Sequence, residues 1–155
     1  MRLIRDRITE IQVTSEADLG SCCSSASRLA DELGFSSGEA DDIAALAADL
    51  VGHMVSHHGS EARFFVCRVM DSDSRQGLEI WSCDNGDGIS DMLEDVEAWS
   101  DAESLPEYEP SALQRLSDEY EINPSWWPDF ITIPHAAETG AWIRICSRKW
   151  LGTNS

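Results

Sequence analysis

From Ile4 to Val13 (IRDRITEIQV) apolar and polar residues alternate loosely, the spacing of an edge strand with one side on a core. After Ser15 the period changes. Leu19, Cys22, Cys23, Ala26, Leu29, Ala30 and Leu33 recur at helical spacing up to Gly34. This predicts a helix over 16–33, with Ser15 as N-cap, Asp18 in a capping-box position and Gly34 as the stop. Ser36 or Ser37 caps a second helix, predicted over 39–57. Its Ile43, Leu46, Ala47, Leu50, Val51, Met54 and Val55 form one continuous apolar stripe. ARFFVCRVM (Ala62 to Met70) and LEIWSCD (Leu78 to Asp84), joined by the polar DSDSRQG, predict a hairpin with strands over 62–70 and 78–84. Met92, Leu93 and Val96 suggest a short helix and Pro110 to Leu116 another, while Ile131 to Ile133 and residues 141–149 predict closing strands.

That order predicts the α+β class, with helices packed on one face of a mixed, mainly antiparallel sheet. A chain of 155 residues without internal repeat or linker reads as one domain, 1–155. No run of about 18 apolar residues exists, and MRLIRDRITE has charges where an export signal needs its apolar segment. Five cysteines without a C-x-x-C fit a reduced, cytoplasmic protein with mostly buried thiols. The formal charge of −18 repels nucleic acid phosphates and anionic lipid, so neither is expected as a partner. Solubility or adaptation to a salty cytoplasm accounts for such acidity more simply than a basic partner does.

WSCDNGDGIS (Trp81 to Ser90) carries the candidate chemistry, and three readings compete for it. A calcium loop with Gly88 at its sixth position puts Asn85, Asp87 and Glu94 at ligand positions, but Cys83 stands where the first aspartate belongs. A turn is the plain alternative, because Asn-Gly and Asp-Gly accept positive φ readily. The third reading depends on the second helix, where Asp49 and His53, four residues apart, share one face with His57 beyond them.

An acid and a polar partner on a helix, followed by a strand and D-x-G-x-G, resembles the GHKL (Bergerat-fold) ATPases. LADELGFS, IAALAADLVGHMVSHHG, DNGDGI and the closing WIRICSRKW resemble the anti-sigma-factor serine kinases, especially the stressosome switch-kinase branch. The resemblance covers most of the chain in order and spacing. It implies a Bergerat-type α/β sandwich, with Asp49 where the family has its glutamate base and His53 where it has the magnesium-binding asparagine. It further implies that Asp84 holds the adenine amino group and that Gly86 and Gly88 let the nucleotide approach the backbone. It implies a STAS-domain or sigma-factor-type regulatory protein as partner and a role in stress-response signalling, and it leaves a homodimer open.

The sequence departs from that pattern. Asp49 is one methylene shorter than glutamate, and His53 lacks the amide oxygen that magnesium prefers. The family's lid over the triphosphate is rich in glycine, whereas residues 98–110 here contain none. Residues 91–109 carry eight carboxylates and no lysine or arginine. Phosphate cradles need converging N–H groups and positive charge. Like charges about 4 Å apart repel by roughly 4 kcal/mol at intermediate dielectric. The expectation is a regulator that binds protein with impaired or absent ATP use. No cofactor is expected unless the pocket works, when it would take ATP and magnesium. The alternative is an active serine kinase acting on a STAS-domain antagonist.

In the regulator reading Asp101, Glu103 and Glu107, with Trp99 and Tyr108 as apolar anchors, form the partner-binding face. The acidic segment as a plain solvated loop is the competing account. His53, His57 and His58 have zinc-like spacing, but Met54 stands where a metalloprotease needs glutamate and no third ligand follows. Trp126-Trp127 between prolines is a docking patch or an inward-folded cap.

Overall fold

The structure, a computed structural model, describes residues 3–56, 62–84, 112–122, 128 and 143–152. Helix α1 (Ala17–Leu33) opens differently from the expected cap. Glu16 takes the N-cap position in helical backbone without a side-chain cap bond. Asp18 Oδ2 closes the turn instead, accepting from the N–H groups of Thr14 at 2.8 Å and Ser15 at 3.1 Å. Ser15 Oγ accepts from the N–H of Ala17, so only the acidic half of the capping box forms. Gly34 ends the helix at φ 98, and its N–H turns back to the carbonyls of Ala30 and Asp31. Helix α2 (Ser37–Ser56) has the complete box. Glu39 N–H donates to Ser36 Oγ at 3.1 Å, and Ser36 N–H donates to Glu39 Oε1 at 3.0 Å. Ser36 is therefore the cap.

The strands are β1 (Ile4–Gln12), β2 (Ala62–Met70), β3 (Gln76–Asp84), β4 (Glu119–Ile122) and β5 (Ile143–Trp150), and a short helix α3 (Ala112–Leu116) precedes β4. They form one sheet in the order β1-β2-β3-β5-β4. Every pairing among these described strands is antiparallel, where the sequence predicted a mixed, mainly antiparallel sheet. β4 was not expected; EYEI is too short for its alternation to stand out. The helix suggested at Met92 to Val96 and the strand suggested at Ile131 to Ile133 lie outside the described residues.

Alternation sorts the strands into two faces. Ala62, Phe64 and Val66 of β2, Leu78 and Ile80 of β3 and Ile145 of β5 pack under the apolar sides of α1 and α2, with Leu113 of α3 beside them. The opposite face is closed too. Phe65, Cys67, Val69, Trp81, Cys83, Cys146 and Trp150 are all buried there. Two-sided burial explains why ARFFVCRVM is almost continuously apolar. β1 is the outermost of the described strands, and a bulge puts Arg7 and Ile8 opposite Cys67, with Arg7 at φ 51. The left-handed region costs a non-glycine residue roughly 1–2 kcal/mol.

The turn between β2 and β3 is built on Asp71, whose Oδ1 accepts from the N–H groups of Asp73 and Arg75 at 2.9 Å. Arg75 then lies over the Trp150 ring, 4.1 Å from its centroid. Gly77 sits beneath that ring, where a Cβ would stand 2.8 Å from the Lys149 carbonyl oxygen and 2.8 Å from Trp150 Cε3. Gly77→Ala is expected to destabilise by about 1–3 kcal/mol through overpacking. Gly20→Ala, on α1 with nothing within 4 Å, is expected to stabilise by about 0.5–1 kcal/mol. Urea midpoints read both, and equal midpoints for the two variants contradict the close approach at Gly77.

Candidate functional site

The apolar stripe of α2 fixes what the helix can offer elsewhere. Ile43, Leu46, Ala47, Leu50 and Val51 are buried against the sheet and the neighbouring helices, and Asp49 stands half-buried at the border of that stripe. His53 follows one turn later on the same helix. From the end of α2 the chain enters β2 at Ala62, which pairs with Asp84, the last residue of β3; Asp84 also pairs with Ile143 at the start of β5. Consequently the C-terminal end of α2, the start of β2 and the end of β3 gather at one end of the layer. Three of the expected site residues, Asp49, His53 and Asp84, belong to elements that meet there. Gly86, Gly88, Trp99, Asp101, Glu103, Glu107 and Tyr108 lie outside the described residues.

One residue of this end was not foreseen. The helix-facing positions of β3 include Leu78, Ile80 and Ser82, so this face turns from apolar to polar toward the end of the strand. Ser82 is fully buried, with Phe64 and Ile145 as its lateral neighbours. Its Oγ makes no hydrogen bond to the described residues. A buried hydroxyl without a partner costs about 1–3 kcal/mol and calls for an explanation. The alternation in LEIWSCD contained this signal, because Ser82 follows Leu78 and Ile80 on the core face.

A second cluster lies on the opposite face, around Glu79, which is 0% exposed. Its Oε1 accepts from Arg5 Nε and from the Trp81 indole N–H, each at 2.6 Å, and its Oε2 accepts from Arg148 Nε at 2.6 Å and Arg5 Nη2 at 3.1 Å. Arg148 in turn faces Glu121 at 3.5 Å and Glu119 at 4.0 Å. Burial by itself raises the Glu79 carboxyl, but the bonds and charge of Arg5, the Trp81 bond and the charge of Arg148 outweigh it and hold the group below the usual range. With both oxygens satisfied, this carboxylate is a strut across the sheet rather than a reactive group.

Four of the cysteines are equally unreactive. Burial pushes the Cys22 thiol up to about 12 and raises Cys23, Cys67 and Cys146 as well. Among the described residues no three His, Cys, Asp or Glu side chains come together as a metal site. No described helix is long and apolar enough to cross a membrane. Compared with known proteins, the chain matches no family model and no curated sequence.

Two outcomes are expected. Glu79 has a depressed folded value, so its contribution is complete above the ordinary glutamate range, near 4.3, and is lost as pH falls through the folded value. Glu79→Gln leaves two arginine partners without their counter-charge and is expected to cost about 3–5 kcal/mol at neutral pH. It should also flatten the acid limb of a stability–pH curve. An unchanged acid limb in that variant removes Glu79 as its source. Ser82→Ala is expected to hold or raise the urea midpoint, since it removes an unbonded hydroxyl. A loss above about 1 kcal/mol shows that Oγ has a bonded partner.

Proposed function

We propose that the chain is a regulatory protein of the anti-sigma-kinase type, acting by protein binding in a partner-switching pathway with impaired or absent ATP use. The observation that supports this reading is the meeting of the Asp49-bearing helix with the strand that ends in Asp84, beneath an α1–α2 pair on one face of an antiparallel sheet. In this reading Asp49 occupies the place of the catalytic base, Asp84 that of the adenine acceptor, and Gly86 and Gly88 that of the nucleotide loop. The partner is a STAS-domain or sigma-factor-type protein, contacted through Trp99, Asp101, Glu103, Glu107 and Tyr108.

Impaired ATP use follows from the sequence on the phosphate side. Eight carboxylates between residues 91 and 109 with no lysine or arginine oppose a triphosphate. Two unscreened repulsions of about 4 kcal/mol each suffice to erase micromolar binding, which is worth about 8 kcal/mol. Titration calorimetry with ATP and magnesium tests the reading. The expected result is affinity weaker than about 1 mM, or under about 4 kcal/mol. Micromolar binding that Asp84→Ala abolishes replaces it with an active serine kinase.

A further inference from the structure

Strands β2, β3 and β5 are anchored by buried side chains on both faces of the sheet. β1 is not. Between Ile4 and Gln12 no residue is buried; Arg5, Asp6 and Ile11 are half-buried and the rest are exposed. Besides its backbone ladder to β2, the strand is fastened by charge. Arg5 meets Glu79 of β3 at 2.6 Å, Asp6 meets Arg68 of β2, Arg7 meets Glu32 of α1 at 3.4 Å and Glu10 meets Arg63 of β2 at 3.9 Å. The bulge works against the strand, because Arg7 is held at φ 51.

These ties differ in worth. The Arg7–Glu32 and Glu10–Arg63 pairs are solvated and contribute little. Arg68 holds both oxygens of Asp6 in a fork, and its hydrogen bond keeps the Asp6 carboxyl below the usual range. Glu79 is fully buried and takes two bonds from Arg5 across β2. Among the described residues Glu79 faces Arg5 of β1, Cys67 of β2, Trp81 of its own strand, and Arg148 and Cys146 of β5, with Glu119 and Glu121 of β4 beyond Arg148. Burial keeps both of those thiols protonated. Asp6 faces Arg68 of β2 and Arg7 of its own strand.

We propose that β1 is an acid-released strand: on protonation of Glu79 and Asp6 it detaches from β2 as a unit, while the two long helices and the β2–β3–β5 sheet stay in place. Both carboxyls lie below their ordinary values in the folded chain, so their contribution is complete above the ordinary carboxylate range and is lost as pH falls through the folded values. Loss of the Glu79 charge is felt on both sides of β3. However, β5 keeps Ile145, Cys146 and Trp150 in the core, and its Arg148 keeps Glu119 and Glu121. Detachment strips β1 from the backbone of Phe64 and Val66 and lifts Leu3 from Cys67, Val69 and Trp150. A strand edge laid bare in this way can pair again, so acidity governs its availability. The release does not depend on what binds at the α2–β3 end.

Hydrogen exchange of the full chain, followed amide by amide by nitrogen-15 NMR from about pH 6.5 to about pH 3.5, tests the release. β2 carries its own control. Val13 N–H donates to the Ala62 carbonyl at 2.8 Å, so by antiparallel alternation Phe64 and Val66 turn their amides to β1, whereas Phe65 and Cys67 turn theirs to β3. On acidification, protection at Thr9, Ile11, Phe64 and Val66 is expected to fall at least about tenfold further than at Phe65, Cys67 and Ile80. Arg5→Gln is expected to lower protection of the first set at least about tenfold already near neutral pH, and to shrink its further fall in acid. Asp6→Asn, on a half-exposed side chain, is expected to do the same by about threefold. Equal loss in both sets overturns the proposal, because the carboxylates then hold the whole fold rather than β1. Constant protection of the first set in acid overturns it as well, as does an Arg5→Gln chain that unfolds throughout or keeps β1 fully protected.

Discussion

The sheet depends on one buried carboxylate. Glu79 sits at the middle of β3, and its two oxygens take bonds from Arg5 on β1 and Arg148 on β5. Arg5 reaches across β2 to make its bond, and Arg148 passes the charge on to Glu119 and Glu121 of β4. A single side chain therefore ties the outer strand to the centre and the centre to the far edge. Coulomb attraction in this setting is strong, yet it must offset the desolvation of several charges. What makes the cluster tenable is that each Glu79 oxygen accepts two of these hydrogen bonds. Specificity of register follows, because a slip of one residue in β3 would turn Glu79 toward the helices and Ile80 away from them.

Around that strut the sheet is packed on both sides, so very little of β2 and β3 tolerates change in volume. Gly77 shows the limit: the Trp150 ring and a neighbouring carbonyl occupy the space a methyl group would need. Arg75 closes the same ring from the turn, while the Trp150 indole donates to Glu119 and its backbone N–H donates to Asp118 Oδ2 at 2.7 Å. The hairpin turn, the end of β5 and the start of β4 thus form one interlocked corner. At the opposite end of β3 the packing relaxes into polarity, with Ser82 buried and unbonded to the described residues and Asp49 half-buried on α2. Rigidity at one end and polar groups at the other suit a site carried on a stiff scaffold.

Charge is distributed with the same asymmetry. Arginines gather along β1, β2 and the facing side of α1, and nearly all of them are matched by carboxylates there. The long acidic run lies far from them in sequence, between residues 91 and 109.

By itself the sequence determined what local spacing can determine: both long helices, the Gly34 stop, the β2–β3 hairpin and the closing strand, each recovered to within a few residues. These follow from periods of 3.6 and 2 within short windows. The candidate site was half legible. Asp49 and Asp84 emerged from the pattern of the second helix and the strand–D-x-G-x-G stretch, whereas Ser82 passed unnoticed in a strand that otherwise alternates normally. Glu79 was not singled out in the sequence. In LEIWSCD it looks like the solvent-facing residue of a half-buried strand, and only the tertiary structure makes it the best-bonded buried group. Its partners stand 69 and 74 residues away, and no local window contains them. The same holds for the Arg7 bulge and for β4, because strand pairing is decided between segments. Whether a charge is solvated or buried depends on what the fold brings against it, and that is settled by long-range contact alone.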